Sequence, residues 1–259
     1  MKKNKIIIIL RIVLGLAGWF AITTGFTGLV EPALMGKIPD ILRLILGRMI
    51  VPYTVGLGIF YMITFGMERK APSGQQQVTV PFLLKGLIIQ LGFAIPVSTI
   101  TGILITALGG SVGSSLAVAL FGANRLFYAV LLLLFNPIFE ELLFRKIVLE
   151  RLLVLGEKEA VIFSAVLFAI PHVISQGIPQ MFATFILALV WGYIRVKTGK
   201  HWPCIVLHVL FNLFSGYIVL ALSGTTAGSV ALVLGFMLLM PTLAVVFLVR
   251  DRRDLRLAA

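Results

Sequence analysis

The chain has 259 residues, of which 59% are hydrophobic and 12% charged, and its formal net charge is +12. Soluble domains contain roughly 45–50% apolar residues even when glycine is counted. A soluble globule of this composition would leave apolar side chains uncovered, and the single cysteine, Cys204, excludes a disulfide scaffold. The composition therefore predicts an all-α, polytopic integral membrane protein.

Eight apolar segments are long enough to cross about 30 Å of hydrocarbon at about 1.5 Å per residue. We predict membrane spans over residues 6–30, 49–67, 81–108, 126–149, 160–174, 178–196, 202–223 and 229–249. The first segment is longer than the core of a signal peptide, so we expect it to remain as a span. No polar linker divides the chain, which predicts one membrane-embedded domain over residues 1–259.

A short stretch before the second predicted span, residues 42–46, is mainly apolar, contains Arg43 and is followed by Arg48. We expect it to lie in the outer membrane interface as an amphipathic segment.

The basic residues orient the predicted bundle. With the N-terminus inside, all but four of the 22 lysines and arginines lie at cytoplasmic ends; the exceptions are Lys37, Arg43, Arg48 and Arg125. This asymmetry predicts that both termini are cytoplasmic. Because the basic residues are spread between apolar segments, we expect membrane lipid, in particular anionic lipid, rather than nucleic acid as the acidic partner.

A few polar side chains lie inside the predicted spans, where a charged group costs on the order of 2.5–3.5 kcal/mol. Glu140 and Glu141 are adjacent in the fourth span. Glu141 and Arg145 are four residues apart and share a helix face, so an ion pair is expected between them. Glu140 points about 100° away and is free to face a cavity.

Two further spans carry matching polar groups at similar depth: His172 lies in the fifth span, and His208 with Asn212 in the seventh. A carboxylate and a histidine can together deprotonate a water molecule. A second histidine and an amide can stabilise an oxyanion. These residues are sufficient for peptide hydrolysis without a covalent intermediate.

Three motifs contain these residues in order along the chain. Residues 140–145 read E-E-x-x-x-R, residues 168–172 read F-x-x-x-H, and residues 208–212 read H-x-x-x-N. The ordered trio resembles the CAAX protease and bacteriocin-processing (CPBP) family of intramembrane endopeptidases, which includes the type II CAAX prenyl endopeptidases. The resemblance covers about residues 126–216.

The resemblance implies an eight-helix bundle that cleaves peptide bonds near the cytosolic membrane face. Glu140 and His172 would activate the water, and His208 and Asn212 would bind the oxyanion. Glu141 and Arg145 would be supporting residues. The substrate would be a peptide or a protein, with prenylated C-terminal CAAX proteins as one candidate class.

The metal requirement stays open at this point. The family is often labelled metallopeptidase, but a glutamate-activated water needs no cofactor, and we favour that interpretation. If zinc is bound, Glu140, His172 and His208 are the ligands that the sequence offers.

Other interpretations differ in what they require of the sequence. An aspartyl intramembrane protease needs two buried aspartates, and a zinc protease of the H-E-x-x-H type needs that string; the chain has neither. A secondary transporter usually shows internal repeats and broken helices in both halves, whereas the polar residues here cluster in the fourth to seventh predicted spans. A non-catalytic scaffold or bacteriocin-immunity protein on the same fold would be expected to lose a motif residue, whereas this chain keeps all of them.

Overall fold

The computed structural model describes residues 2–110, 120–252 and 257. The described residues form helices and no strand. We number the long helices in chain order: α1 (Lys5–Ala33), α2 (Asp40–Ile63), α3 (Val80–Ala107), α4 (Arg125–Leu155), α5 (Glu157–Gln176), α6 (Ile178–Thr198), α7 (Trp202–Ser223) and α8 (Thr226–Arg250).

Seven of these helices, all except α5, are long and apolar enough to cross a membrane. The predicted class, an all-α polytopic membrane bundle, is therefore confirmed. The helix α5 has 20 residues and contains the fifth predicted span. That α5 crosses the membrane, which would give eight spans, stays a prediction.

The second predicted span differs from the structure at its start. The helix α2 begins at Asp40, so residues 42–46 form part of its first turns. That these turns lie in the outer interface stays a prediction. Pro39 is extended, with φ −54° and ψ 138°, and the carboxylate of Asp40 lies in the first turn, where it interacts favourably with the helix dipole. These two residues start the helix earlier than hydrophobicity alone indicates.

The chain divides into two compact units, Met1–Arg69 and Lys70–Ala259. In the first unit, α1 and α2 pack as an antiparallel pair. The indole Nε1 of Trp19 donates to the carbonyl of Pro52 over 2.8 Å, and Arg11 donates to the carbonyl of Ile63 at the end of α2. A Cβ atom on Gly15 would lie 2.9 Å from the Phe60 ring, so glycine permits the close contact.

A charged cluster joins the other ends of this pair. Glu31 is buried, and its carboxylate lies 2.8 Å from Arg43 and 3.9 Å from Arg48. Arg43 also contacts Asp40 over 3.1 Å. Two of the four basic residues predicted on the outer side are thus neutralised by acids from their own unit.

The second unit contains α3 to α8. The helix α6 packs against both α5 and α3, while α3 also packs against α8. Gly92 on α3 permits that last contact, because a Cβ atom there would lie only 2.6 Å from the carbonyl oxygen of Met240. The single domain over residues 1–259 stays a prediction.

The end of α4 is fixed by a buried ion pair with α6. The guanidinium of Arg195 lies 2.9 Å from Glu150 and donates to the carbonyl of Arg145 over 3.1 Å. The backbone N–H of Lys70 donates to the carbonyl of Glu150, so the segment that precedes α3 is attached there too. These bonds hold the turn that carries Arg145 in one orientation.

Candidate active site

A cavity of about 260 Å³ lies among the helices of the second unit. Four of the predicted site residues line it: Glu140 from α4, His172 from α5, and His208 and Asn212 from α7. Three helices thus bring a carboxylate, two imidazoles and an amide to one cavity. The catalytic roles of these residues stay a prediction.

The two adjacent glutamates of α4 have different surroundings. Glu141 is fully buried, and its Oε2 lies 3.0 Å from Nε of the equally buried Arg145, as the spacing of four residues predicts. The side chain of Glu140 is 20% exposed and lines the cavity. Consecutive residues of a helix point about 100° apart. For this reason Glu141 pairs with Arg145 while Glu140 faces the cavity.

His208 lies between the two carboxylates. Its Nδ1 is 3.1 Å from Oε1 of Glu141, and its Nε2 is 3.8 Å from Oε2 of Glu140. In this geometry Nδ1–H donates to Glu141. The sequence predicted only Arg145 as the partner of Glu141. The structure adds His208 as a second partner, so the carboxylate of Glu141 contacts both residues.

Two aromatic rings surround Arg145. Its guanidinium carbon lies 4.4 Å from the ring centre of Phe168 and 5.2 Å from that of Trp191. Among the described residues, its two terminal nitrogens have no hydrogen-bond partner. A cation over aromatic faces is stabilised by the ring quadrupole, so these contacts and Glu141 hold a fixed positive charge behind the cavity.

A chain of hydrogen bonds from α3 supports His208. The imidazole stacks on Trp191 with 4.3 Å between ring centres and 21° between planes. Trp191 donates its indole N–H to Gln90 over 2.7 Å, and Gln90 donates to the carbonyl of Leu207 over 2.8 Å. Gln90 therefore fixes both the stacked ring and the backbone beside His208.

Sequence reasoning missed Gln90 and Trp191. A signal was present for Gln90, because it is an amide in the middle of an apolar span, where polar side chains commonly bond between helices. Trp191 carries no comparable signal, since an aromatic residue in a membrane helix is ordinary.

The F-x-x-x-H spacing has a clear structural role. Nδ1 of His172 donates to the carbonyl of Phe168, one turn earlier, over 2.9 Å. This bond leaves the lone pair of Nε2 free to accept a proton. The ring of Phe168 also contacts the rings of His172, His208 and Trp191. It therefore packs between the two histidines and helps to fix the positions of their imidazoles.

The amide of Asn212 is anchored to α4. Its Nδ2 donates to the carbonyl of Leu132 over 2.8 Å. A side-chain amide has two N–H groups, so the second one is available to a ligand in the cavity. The remaining lining includes uncharged polar side chains from α3, α5 and α6, namely Ser98, Thr99, Gln176, Gln180 and Thr184.

The predicted zinc ligands do not form a metal site in this arrangement. Within the part of the chain that the structure describes, no group of three or more His, Cys, Asp or Glu side chains is placed to hold a metal ion. Glu140, His172 and His208 share the cavity without forming such a group. We therefore derive no step through a metal.

His201 is the one histidine to which the sequence assigned no role, and it does not line the cavity. It lies between α6 and α7, where partial burial and the nearby Arg195 and Lys146 lower its pKa. A neutral His201 is expected at neutral pH.

The fold and the cavity define a multi-pass helical membrane protein with a carboxylate and histidine site. Residues 121–214 match the family model described as type II CAAX prenyl endopeptidase Rce1-like. The matched residues contain all three motifs, and the predicted resemblance to the CPBP family is confirmed. No curated protein and no solved structure matches the chain. The family indicates an intramembrane endopeptidase.

Proposed function

We propose that this protein is a glutamate-dependent intramembrane endopeptidase, in which a water molecule activated by Glu140 and His172 attacks the peptide bond. One observation carries the proposal: Glu140, His172, His208 and Asn212 line the same cavity, while Glu141 and Arg145 are buried beside it. The groups needed to activate water and to stabilise an oxyanion are thus within one space.

Glu140 and His172 share the base role. The carboxylate of Glu140 accepts one proton of the water as the water oxygen bonds to the scissile carbonyl carbon, and the free Nε2 of His172 accepts a hydrogen bond from the second proton. The proton on Glu140 then passes to the leaving nitrogen as the C–N bond breaks, which releases an amine. The second proton leaves the new carboxylic acid through Nε2 of His172, so the other product is a carboxylate.

Asn212 and His208 stabilise the oxyanion. The second N–H of Asn212 donates to it, and so does Nε2 of His208 when that nitrogen carries a proton. The bond from His208 to Glu141 and the stacked Trp191 keep the imidazole in place. Glu141 and Arg145 are therefore supporting residues that act through His208.

Prenylated proteins or peptides that end in a CAAX sequence are the proposed substrates. This assignment rests on the family that residues 121–214 match. We further propose that both termini are cytoplasmic, because the basic residues concentrate at the corresponding helix ends. A cysteine that replaces the exposed Lys146, beside Arg145, is expected to react with a membrane-impermeant reagent only from the cytosolic side; reaction from the outside alone would overturn the orientation.

The test uses the full-length chain purified in detergent and two peptides of one sequence, with and without an isoprenoid on the CAAX cysteine. We expect cleavage of the prenylated peptide after that cysteine, with fragments identified by mass spectrometry. The variant His172→Ala should lose about 10²–10⁴ in rate. The matched control His201→Ala removes a histidine outside the cavity and should cleave like the wild type. Cleavage of neither peptide would contradict the proposal.

The same assay tests whether cleavage requires a bound metal ion. We expect the rate to survive exhaustive treatment with a strong zinc chelator, because Glu140 acts as a base and not as a ligand. Loss of activity on chelation, followed by its return on addition of zinc, would contradict the metal-free mechanism.

A further inference from the structure

A second cavity lies on the opposite face of α6 from the candidate active site. It is a groove of about 490 Å³ between α3, α6 and α8, which we call the α3–α6–α8 groove. On α6 it is lined by residues such as Ile186 and Val190, whereas Leu187 and Trp191 face the active-site cavity. The body of α6 therefore separates the two spaces.

The walls of this groove are apolar over most of its length. On α3 it extends from Phe82 to Phe93, and α6 contributes Ile186, Leu189 and Val190. The eleven steps along the helix from Phe82 to Phe93 correspond to about 16 Å along the axis. The groove therefore has the length and the lining that a fatty-acyl chain lying along α3 requires.

The polar end of the groove is lined by Lys85 and Asp251, and Arg250 lies beside Asp251 outside the lining. Nζ of Lys85 lies 2.6 Å from Asp251, and Arg250 approaches the other oxygen of the same carboxylate at 4.0 Å. Two cations and one acid leave a net charge of +1. The side chains of Lys85 and Arg250 are 39% and 76% exposed, so both remain accessible to a ligand.

Lys85 keeps donors for such a ligand. An ammonium group has three N–H donors, and Asp251 is its one hydrogen-bond partner among the described residues. A phosphate oxygen placed beside this ion pair would accept from Lys85 and would neutralise the excess charge. Basic pockets at helix ends on the cytoplasmic side are the sites where anionic headgroups bind.

We propose that the α3–α6–α8 groove binds one phospholipid with an anionic headgroup. The acyl chain occupies the apolar groove, and the phosphate contacts Lys85 and Arg250. Because α6 separates the groove from Glu140, a substrate chain bound in this groove would not bring its peptide bond to the catalytic residues. The lipid site is therefore independent of the proposed protease chemistry.

The experiment compares two variants that break the same ion pair but change the charge in opposite directions. Lys85→Gln lowers the net charge of the cluster from +1 to zero, and Asp251→Asn raises it to +2. The full-length chain is reconstituted in nanodiscs of phosphatidylcholine, alone or mixed with phosphatidylglycerol of the same acyl chains. Thermal unfolding and native mass spectrometry of the retained lipid are the readouts.

We expect phosphatidylglycerol to raise the melting temperature of the wild type and to be retained as one tightly bound lipid. One basic side chain near an anionic headgroup corresponds to about a fivefold change in affinity. Retention should therefore fall about fivefold in Lys85→Gln and rise in Asp251→Asn, although both lose the ion pair. High salt should weaken the retention in all variants.

Two controls separate this site from general charge attraction. The variant Lys146→Gln/Lys158→Gln removes two exposed cations of the same unit that do not line the groove, and it should retain phosphatidylglycerol like the wild type. Val190→Trp fills the groove and should reduce retention without changing the charge. Equal retention of phosphatidylcholine, or parallel losses in Lys85→Gln and Asp251→Asn, would overturn the proposal.

Discussion

Two buried glutamates, one in each compact unit, have similar partners but different neighbours. Glu31 in the first unit is paired with Arg43, and Glu141 in the second with Arg145. Each ion pair satisfies a carboxylate that would otherwise be costly away from water. Burial and an arginine partner therefore do not by themselves distinguish a structural acid from a candidate site residue.

The difference lies in what surrounds each pair. The other charged neighbours in the first cluster are Asp40 and Arg48. The two acids and two arginines of this cluster pair with one another at the helix ends. Beside Glu141, by contrast, Glu140 faces a cavity, and His208 bridges the two acids. Among the described residues, no lysine or arginine lies within ion-pair distance of Glu140. A candidate catalytic acid is thus recognised by its access to a cavity rather than by its burial.

The largest expected effect comes from the acid that faces the cavity. Glu140→Gln removes a general base while leaving the Glu141–Arg145 pair intact, so we expect a loss of about 10²–10⁴ in turnover. The melting temperature in detergent should stay close to that of the wild type. Peptide cleavage and thermal unfolding on the same preparation measure both. Near-normal turnover of the folded variant would favour the scaffold interpretation instead.

The buried pair should respond differently. Glu141→Gln leaves Arg145 without its anionic partner, and breaking a buried ion pair costs about 3–5 kcal/mol. We therefore expect Glu141→Gln and Arg145→Ala to lower the melting temperature and the activity together. The same two measurements as for Glu140→Gln apply. A variant of Glu141 that unfolded at the wild-type temperature would show that the pair contributes little to stability.

The support from α3 should have a smaller effect. Gln90→Leu leaves the indole N–H of Trp191 and the carbonyl of Leu207 without this partner. An unsatisfied buried polar group costs about 1–3 kcal/mol. We expect a lower melting temperature and a lower kcat with little change in KM, because His208 loses its fixed position. The exposed Gln75→Leu is the control and should change neither quantity.

The cluster of the first unit should show the smallest effect and none on catalysis. Arg43→Ala removes one partner of the buried Glu31, but Arg48 remains 3.9 Å from the same carboxylate. We therefore expect a destabilisation smaller than the about 3–5 kcal/mol of a buried acid that loses its one partner. Turnover per folded molecule should equal that of the wild type. A marked fall in the kcat of folded Arg43→Ala would show that the Glu31 cluster also affects catalysis, which would contradict its assignment as purely structural.

Several features of the site followed from the sequence because they depend on one helix at a time. The separation of Glu140 from Glu141, the ion pair with Arg145 and the contact between Phe168 and His172 are all set by the rise and rotation of an α-helix. The helix that contains the second predicted span begins earlier than that span, at Asp40, because hydrophobicity does not register the helix start that Pro39 and Asp40 produce.

The sequence by itself determined the membrane class, the approximate spans and the choice of candidate site residues, because composition and helical periodicity are local properties. Tertiary structure alone decided that His208 bonds to Glu141, 67 residues away, and that Gln90 joins Trp191 over 101 residues. These contacts depend on the rotation and depth at which whole helices pack. That arrangement is set by interdigitating side chains and close glycine contacts, which no single helix specifies.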